Sequence, residues 1–156
     1  MTKTVIDDCM AVPARRGTSY PLPLASQLQG RTKRMLTEQL NLTQFGVNLT
    51  TLDPGGISSF RHWHEVEDEM VYVLSGEVTL VTDEGARALT AGMAAGFPAG
   101  RRDGHHLVNR SSAPATFLEV GTRAKEDRVS YPDVDLKAEK HAGQWHFTNK
   151  GGTPYA

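Results

Sequence analysis

The chain has little of what several classes of protein require. It carries one cysteine, Cys9, so no disulfide can close within it, and an unpaired thiol near the start is the plain reading. Its formal net charge is -1, from 17 basic and 18 acidic side chains. So close a balance gives no electrostatic attraction to nucleic acid or to an anionic membrane surface. No helix-turn-helix pattern precedes the central region, which argues against a DNA-binding regulator. No apolar run approaches the length that spans a bilayer, and the opening MTKTVIDDCM holds two aspartates where a secretory signal would be apolar. The expectation is a soluble, cytoplasmic protein whose partner is a small molecule. At 156 residues, with 38% hydrophobic and 22% charged, the chain has enough apolar material for one packed core.

Helical periodicity is also scarce. Residues 1–40 form an N-terminal arm broken by Pro13, Pro21 and Pro23, either mobile or laid across another surface. It offers at most a short helical turn near Lys33–Gln39, and its basic cluster Arg31, Lys33, Arg34 suits a solvated face. From Thr43 the period becomes two: Phe45, Val47 and Leu49 alternate with Gln44, Gly46 and Asn48, as in a half-buried strand. The turn Asp53-Pro54-Gly55-Gly56 follows, and then short strands near Ser58–His64, Glu69–Leu74, Glu77–Thr82, Ala86–Leu89, Met93–Phe97, His105–Asn109 and Ala115–Val120. Turn residues separate them throughout. Many short strands with almost no helix predict an all-β fold, an antiparallel β-sandwich or jelly-roll barrel, over residues 41–122. Residues 123–156 form a C-terminal extension packing on it. A last hairpin turns there at Ala142-Gly143, with Trp145 and Phe147 on one face to cover a sheet edge or a subunit contact.

The most informative stretch is GISSFRHWHEVEDEMVYVLSG, from Gly56 to Gly76. Alternate residues of a strand share a face, so His62 and His64 aim together while Trp63 aims away. Four residues separate His64 from Glu69. Three of them are acidic, as in a wet turn, and the apolar run after Glu69 is a returning strand that brings the carboxylate back beside both imidazoles. Those are donors for zinc, manganese, iron or nickel. A second pair, His105-His106, opens a later strand, and parity alone leaves open which of the two points inward.

Gly56, His62-x-His64, Glu69 and Gly76 match the first motif of the cupin superfamily, and Gly92, Pro98-x-Gly100, His105 and Asn109 resemble its second. Four residues, Arg101–Gly104, stand between Gly100 and His105 where the family pattern has two, a longer loop at the mouth of the site. The short spacing between the motifs is similar to that of small bacterial single-domain cupins grouped with sugar-phosphate isomerases. The resemblance implies a mononuclear divalent metal held by His62, His64, Glu69 and His105, with His106 outside the ligand set, and a homodimer.

Cupins host many chemistries, so function stays open between three classes. A metal-dependent isomerase or epimerase of a sugar or sugar phosphate leads. A dioxygenase using Fe(II) or another redox metal and a non-catalytic small-ligand module are the alternatives. Arg101 and Arg102 on the enlarged loop suit an anionic substrate, and Tyr72 is a third substrate-binding candidate at the rim. His141 and His146 lack ligand spacing and read as surface residues.

Overall fold

A computed structural model describes residues 3–155. Its first two strands are β1 (Ala14–Arg16) and β2 (Arg31–Met35), followed by the single-turn helix α1 (Leu36–Gln39). The central strands are β3 (Phe45–Leu52), β4 (Trp63–His64), β5 (Glu69–Ser75), β6 (Glu77–Thr82), β7 (Gly85–Thr90), β8 (Ala94–Phe97), β9 (His106–Val108) and β10 (Ala115–Thr122). The last three are β11 (Asp127–Ser130), β12 (Lys137–His141) and β13 (Gln144–Thr148). They form a six-stranded sheet in the order β1-β2-β3-β10-β5-β8, a four-stranded sheet β13-β12-β11-β4 and a three-stranded sheet β7-β6-β9. The paired strands run antiparallel. The fold is the antiparallel β-sandwich that the alternation and turns predict. Among the described residues no helix is long and apolar enough to cross a membrane.

Period-two patterning puts alternate residues of the central strands into the core, although on β3 it is Thr50 and Leu52 that turn inward while Phe45, of the other parity, is exposed. On β5, Val71 and Val73 are buried while Met70, Tyr72 and Leu74 point outward and are exposed. With Leu52, Val78, Leu89, Leu107, Ala115 and Phe117 they form the main core. The β5–β6 connection is tight at Gly76, where φ is +74° and a Cβ would lie 2.7 Å from the Pro114 carbonyl oxygen. A side chain there would push the two strands off β10.

Two local expectations change, and one left open is resolved. Residues 31–35 are strand, and the helical turn is confined to Leu36–Gln39. Five backbone pairs to β3 and an ion pair of Lys33 with Glu119 at 2.8 Å compensate this segment, which has no apolar helical stripe to bury. The N-terminal arm is therefore laid across a surface, and that surface is the edge of the chain's own sheet. Between Ile57 and His62 the backbone is held by isolated bridges, Ile57 with Val108 and His62 with His105, and only Trp63–His64 form a ladder strand.

Residues 123–155 build the other wall. The β12–β13 hairpin turns through Ala142 and Gly143, both at positive φ (50° and 81°), the geometry that matches the twist of paired strands. A second core of Val129, Tyr131, Leu136 and Ala138 gathers Tyr20, Phe60 and Phe147 around it. Pairing of β11 with β4, Val129 opposite His64, seats this wall against the histidine strand.

Candidate metal centre

Glu69 opens β5 on its inward face and becomes the focus of three imidazoles. His105 Nε2 lies 2.9 Å from Glu69 Oε2, His62 Nε2 lies 3.4 Å from the same oxygen, and His64 Nε2 lies 3.4 Å from Oε1. The ring centroids of His62 are 5.1 Å from His64 and 4.7 Å from His105. Among the described residues no lysine or arginine pairs with this carboxylate.

Each imidazole is aimed by something behind it. His62 Nδ1 sits 2.9 Å from the Phe60 carbonyl, to which it donates, and His64 Nδ1 sits 2.5 Å from Asp127 Oδ2. A proton committed to Nδ1 leaves the Nε2 lone pair facing the centre, the orientation found behind metal-ligating histidines. His105 is oriented differently: its ring stacks on Phe97 at 3.6 Å and 2°, and its buried Nδ1 has no hydrogen-bonding partner. Phe97 faces Glu69 across the β5–β8 ladder, so the same strand pair places both.

Electrostatics follow this geometry. Burial would raise the Glu69 carboxyl, but hydrogen bonds with His105, His62 and His64 outweigh it and hold it well below the usual range. Burial pulls His64 down, yet the flanking Asp127 and Glu69 carry it up to about 10. For His105 burial prevails over Glu69, and its pKa falls. Asp127, which burial would raise, is lowered by His64. Three nitrogen donors and one ionised carboxylate converging in a half-buried site fit a divalent cation, which would take the place of the proton on His64. A second trio, His64 Nδ1, Glu67 and Asp127, also lies within ligand reach. The buried Lys140 ammonium ion-pairs with Glu67, so positive charge is already supplied there, and the trio serves to support His64.

Two cavities meet at these residues. The smaller, about 360 Å³, is bordered by Trp63, Leu80, Phe97 and Arg101. The larger, about 940 Å³, runs between the six-stranded sheet and the C-terminal wall past Tyr20, Asn48, Tyr131, Lys140 and Trp145. His64, Glu69 and His105 border both.

The structure thus brings His62, His64, Glu69 and His105 together and turns His106 away, its Nδ1 donating to the Ser59 carbonyl at 3.0 Å. Arg101 reaches the smaller cavity but is drawn to Asp103 at 3.6 Å and Glu84 at 3.9 Å. Arg102 lies over the Trp63 ring at 5.9 Å and borders neither cavity. Tyr72 lies on the outer face of β5, 38% exposed and away from the site. It stands three positions after the inward Glu69, and that odd spacing puts it on the opposite face. Asn109 is fully buried and bonds the Leu52 and Ala113 carbonyls, closing a strand end. His141 is a surface residue paired with Glu126 and Glu139. Trp145 differs from the edge-covering role expected of it: its ring centroid is 6.3 Å from His64, and Lys140 Nζ sits 4.5 Å from it. Sequence reasoning missed Asp127, Glu67 and Lys140. The one trace of Asp127 is its place in the alternation Asp127, Val129, Tyr131, all buried.

The comparisons agree with this architecture. The Cupin domain family model matches residues 48–121. The crystal structure of a sugar phosphate isomerase of the cupin superfamily from Silicibacter pomeroyi DSS-3 is 42% identical, with 96% of this chain and 95% of that chain covered and a TM-score of 0.90. The polyketide cyclase RemF from Streptomyces resistomycificus is 26% identical, with 78% and 80% covered and a TM-score of 0.63. A cupin protein from Bacteroides fragilis is 25% identical over 59% of this chain and 76% of that one, with a TM-score of 0.52. No curated protein matches the chain. With both histidine motifs on neighbouring inward-facing segments of a β-sandwich, and a relative this similar over almost its whole length, the chain belongs to the cupin superfamily.

Proposed function

We propose that this cupin is a divalent-metal-dependent isomerase or epimerase acting on a small sugar or sugar phosphate. The observation that carries the reading is the convergence of three imidazole Nε2 atoms on the Glu69 carboxylate where two cavities meet. The 42% identity to a protein described as a sugar phosphate isomerase supports the choice of chemistry. His62, His64, Glu69 and His105 would hold the metal, and a divalent ion there supplies Lewis-acid polarisation of a carbonyl and its neighbouring hydroxyl. The chain's own contribution is orientation: Phe60, Asp127 and Phe97 fix the rings, and Trp63, Phe97 and Trp145 exclude water around them. Lys140 and Glu67, buried side by side at the larger cavity, are the acid–base pair best placed to hold a proton during transfer between adjacent carbons.

The test is elemental analysis of protein purified without chelator, combined with oxygen uptake on a panel of aldose and ketose phosphates. One zinc, manganese, iron or nickel ion per chain and interconversion without oxygen consumption is the expected result. Substrate-dependent oxygen consumption would replace this reading with a dioxygenase. Saturable ligand binding with no turnover would replace it with a binding module. The exposed row Met70, Tyr72 and Leu74 on the outer face of the six-stranded sheet supports a homodimer. A monomeric mass by light scattering would exclude that assembly.

A further inference from the structure

The inner face of the six-stranded sheet has a gap in its side chains. Gly46 on β3, Gly121 on β10, Glu69 on β5 and Phe97 on β8 stand opposite one another in one cross-strand row. The row therefore begins with two residues that have no side chain and ends at the candidate metal centre. The bare end is occupied from outside the row. A Cβ on Gly46 would lie 3.0 Å from Arg123 Nε and 3.2 Å from its Nη2, so the guanidinium rests where that side chain would stand. A Cβ on Gly121 would meet only the Asp68 carbonyl at 3.4 Å and Glu69 Cγ at 3.8 Å, leaving an open lane between Arg123 and Glu69. Adjacent strands are ~4.8 Å apart, so the lane is about two spacings long, a distance that a short carbon chain ending in a phosphate covers.

The charge at this end is uncommitted. Among the described residues the Arg123 side chain makes no ion pair or hydrogen bond, and the same holds for Arg16 and Lys125, which border the same cavity. The nearby acids are already matched: Glu119 by Lys33 at 2.8 Å and Glu38 by Arg15 at 3.1 Å. In the adjoining row Asn48 faces the larger cavity, and its Oδ1 is buried without a partner. Asn48 stands on β3 two positions from Gly46, so it leaves an acceptor for a substrate hydroxyl beside the cationic end. On the other side of the site, Arg101 is drawn to Asp103 and Glu84, and Arg102 lies over Trp63.

We propose that Arg123, resting on the Gly46–Gly121 floor, is an anion subsite of the larger cavity that receives the phosphate of a short polyhydroxylated phosphate monoester. Its carbonyl end then lies at Glu69, and Asn48 accepts from a hydroxyl next to the phosphate end. The identity of the ligand rests on the isomerase reading, whereas the subsite itself does not.

The test is calorimetric titration of the full-length, metal-containing protein with inorganic phosphate and with glycerol 3-phosphate, beside Arg123→Gln and the double variant Arg101→Gln/Arg102→Gln. Arg123→Gln is expected to weaken both ligands by roughly ten- to hundredfold, the loss that accompanies removal of charge-assisted hydrogen bonds. The metal content and circular dichroism should stay unchanged. The double variant should bind within about threefold of the native protein, since Arg101 is matched by acids and Arg102 borders neither cavity. Native affinity in Arg123→Gln, loss in the double variant, or no binding of either probe by the native protein would each overturn the subsite. Phosphate binding that depends on Arg123 without any turnover of sugar phosphates would leave the subsite standing and remove the isomerase reading. Turnover of unphosphorylated sugars without phosphate binding would do the reverse.

Discussion

The central barrel and the C-terminal wall divide the work of the candidate centre between them. Residues 45–122 supply all four converging side chains, each within a few residues of a turn or strand end. The wall supplies none of them, yet it provides Asp127 behind His64, Lys140 against Glu67, and Trp145 and Tyr131 along the cavity. Groups that meet a ligand are dictated by short motifs in which parity and one turn settle the geometry. Groups that hold those motifs in place come from whichever strand packs behind them. A site can thus carry a strong local signature while depending for its precision on a segment with none.

Substitutions can break this comparison, and the largest effect is expected in the barrel. Replacing His62 and His64 together by alanine removes two of four donors and should abolish stoichiometric metal in elemental analysis, with the β-sheet circular dichroism retained. Full metal content in that variant would refute the assignment. In the wall, Lys140→Met leaves the Glu67 carboxylate buried without its cation. Denaturant unfolding should show a loss of ~3–5 kcal/mol, the usual consequence of removing one partner of a buried pair. A neutral result would mean that water reaches Glu67. Asp127→Asn keeps the shape behind His64 and removes the charge, and metal affinity should fall by about ten- to hundredfold in a competition titration. An unchanged affinity would mean that the wall is only packing. The smallest effect sharpens the histidine pair: His106→Ala should change metal affinity by less than about threefold, while His105→Ala should change it far more.

Legibility follows the same division. His62, His64 and Glu69 could be read because alternation and a four-residue connection fix their relative positions without knowledge of the rest. His105 was not accessible to parity, since adjacent histidines always face opposite ways. The resemblance to the second cupin motif selected it, and the bridge between His62 and His105 shows the backbone reason. Asp127 and Lys140 were beyond reach because they pair with residues 63 and 73 positions away. That pairing arises from the docking of β11 on β4, which no local pattern encodes. Strands β1 and β2 were hidden for another reason: β2 faces a polar cavity with Arg31 and Lys33, so its alternation carries no hydrophobic signal. Tyr72 was legible but misjudged, since counting from Glu69 already places it on the outer face.

The antiparallel pairing of β11 with β4 has a consequence for how the centre matures during synthesis. His62, His64, Glu69 and His105 all leave the ribosome before Asp127 and Lys140 do, and the barrel strands that carry them can pair among themselves first. Until the last segment docks, His64 has no carboxylate behind it and Glu67 has no ammonium beside it. A nascent chain at that stage holds all four donors, two of them imidazoles aimed only by the barrel. A divalent cation at this centre would therefore be held at high affinity only once the wall has arrived, and a chain truncated after β10 should take up metal weakly even where its sheet has formed.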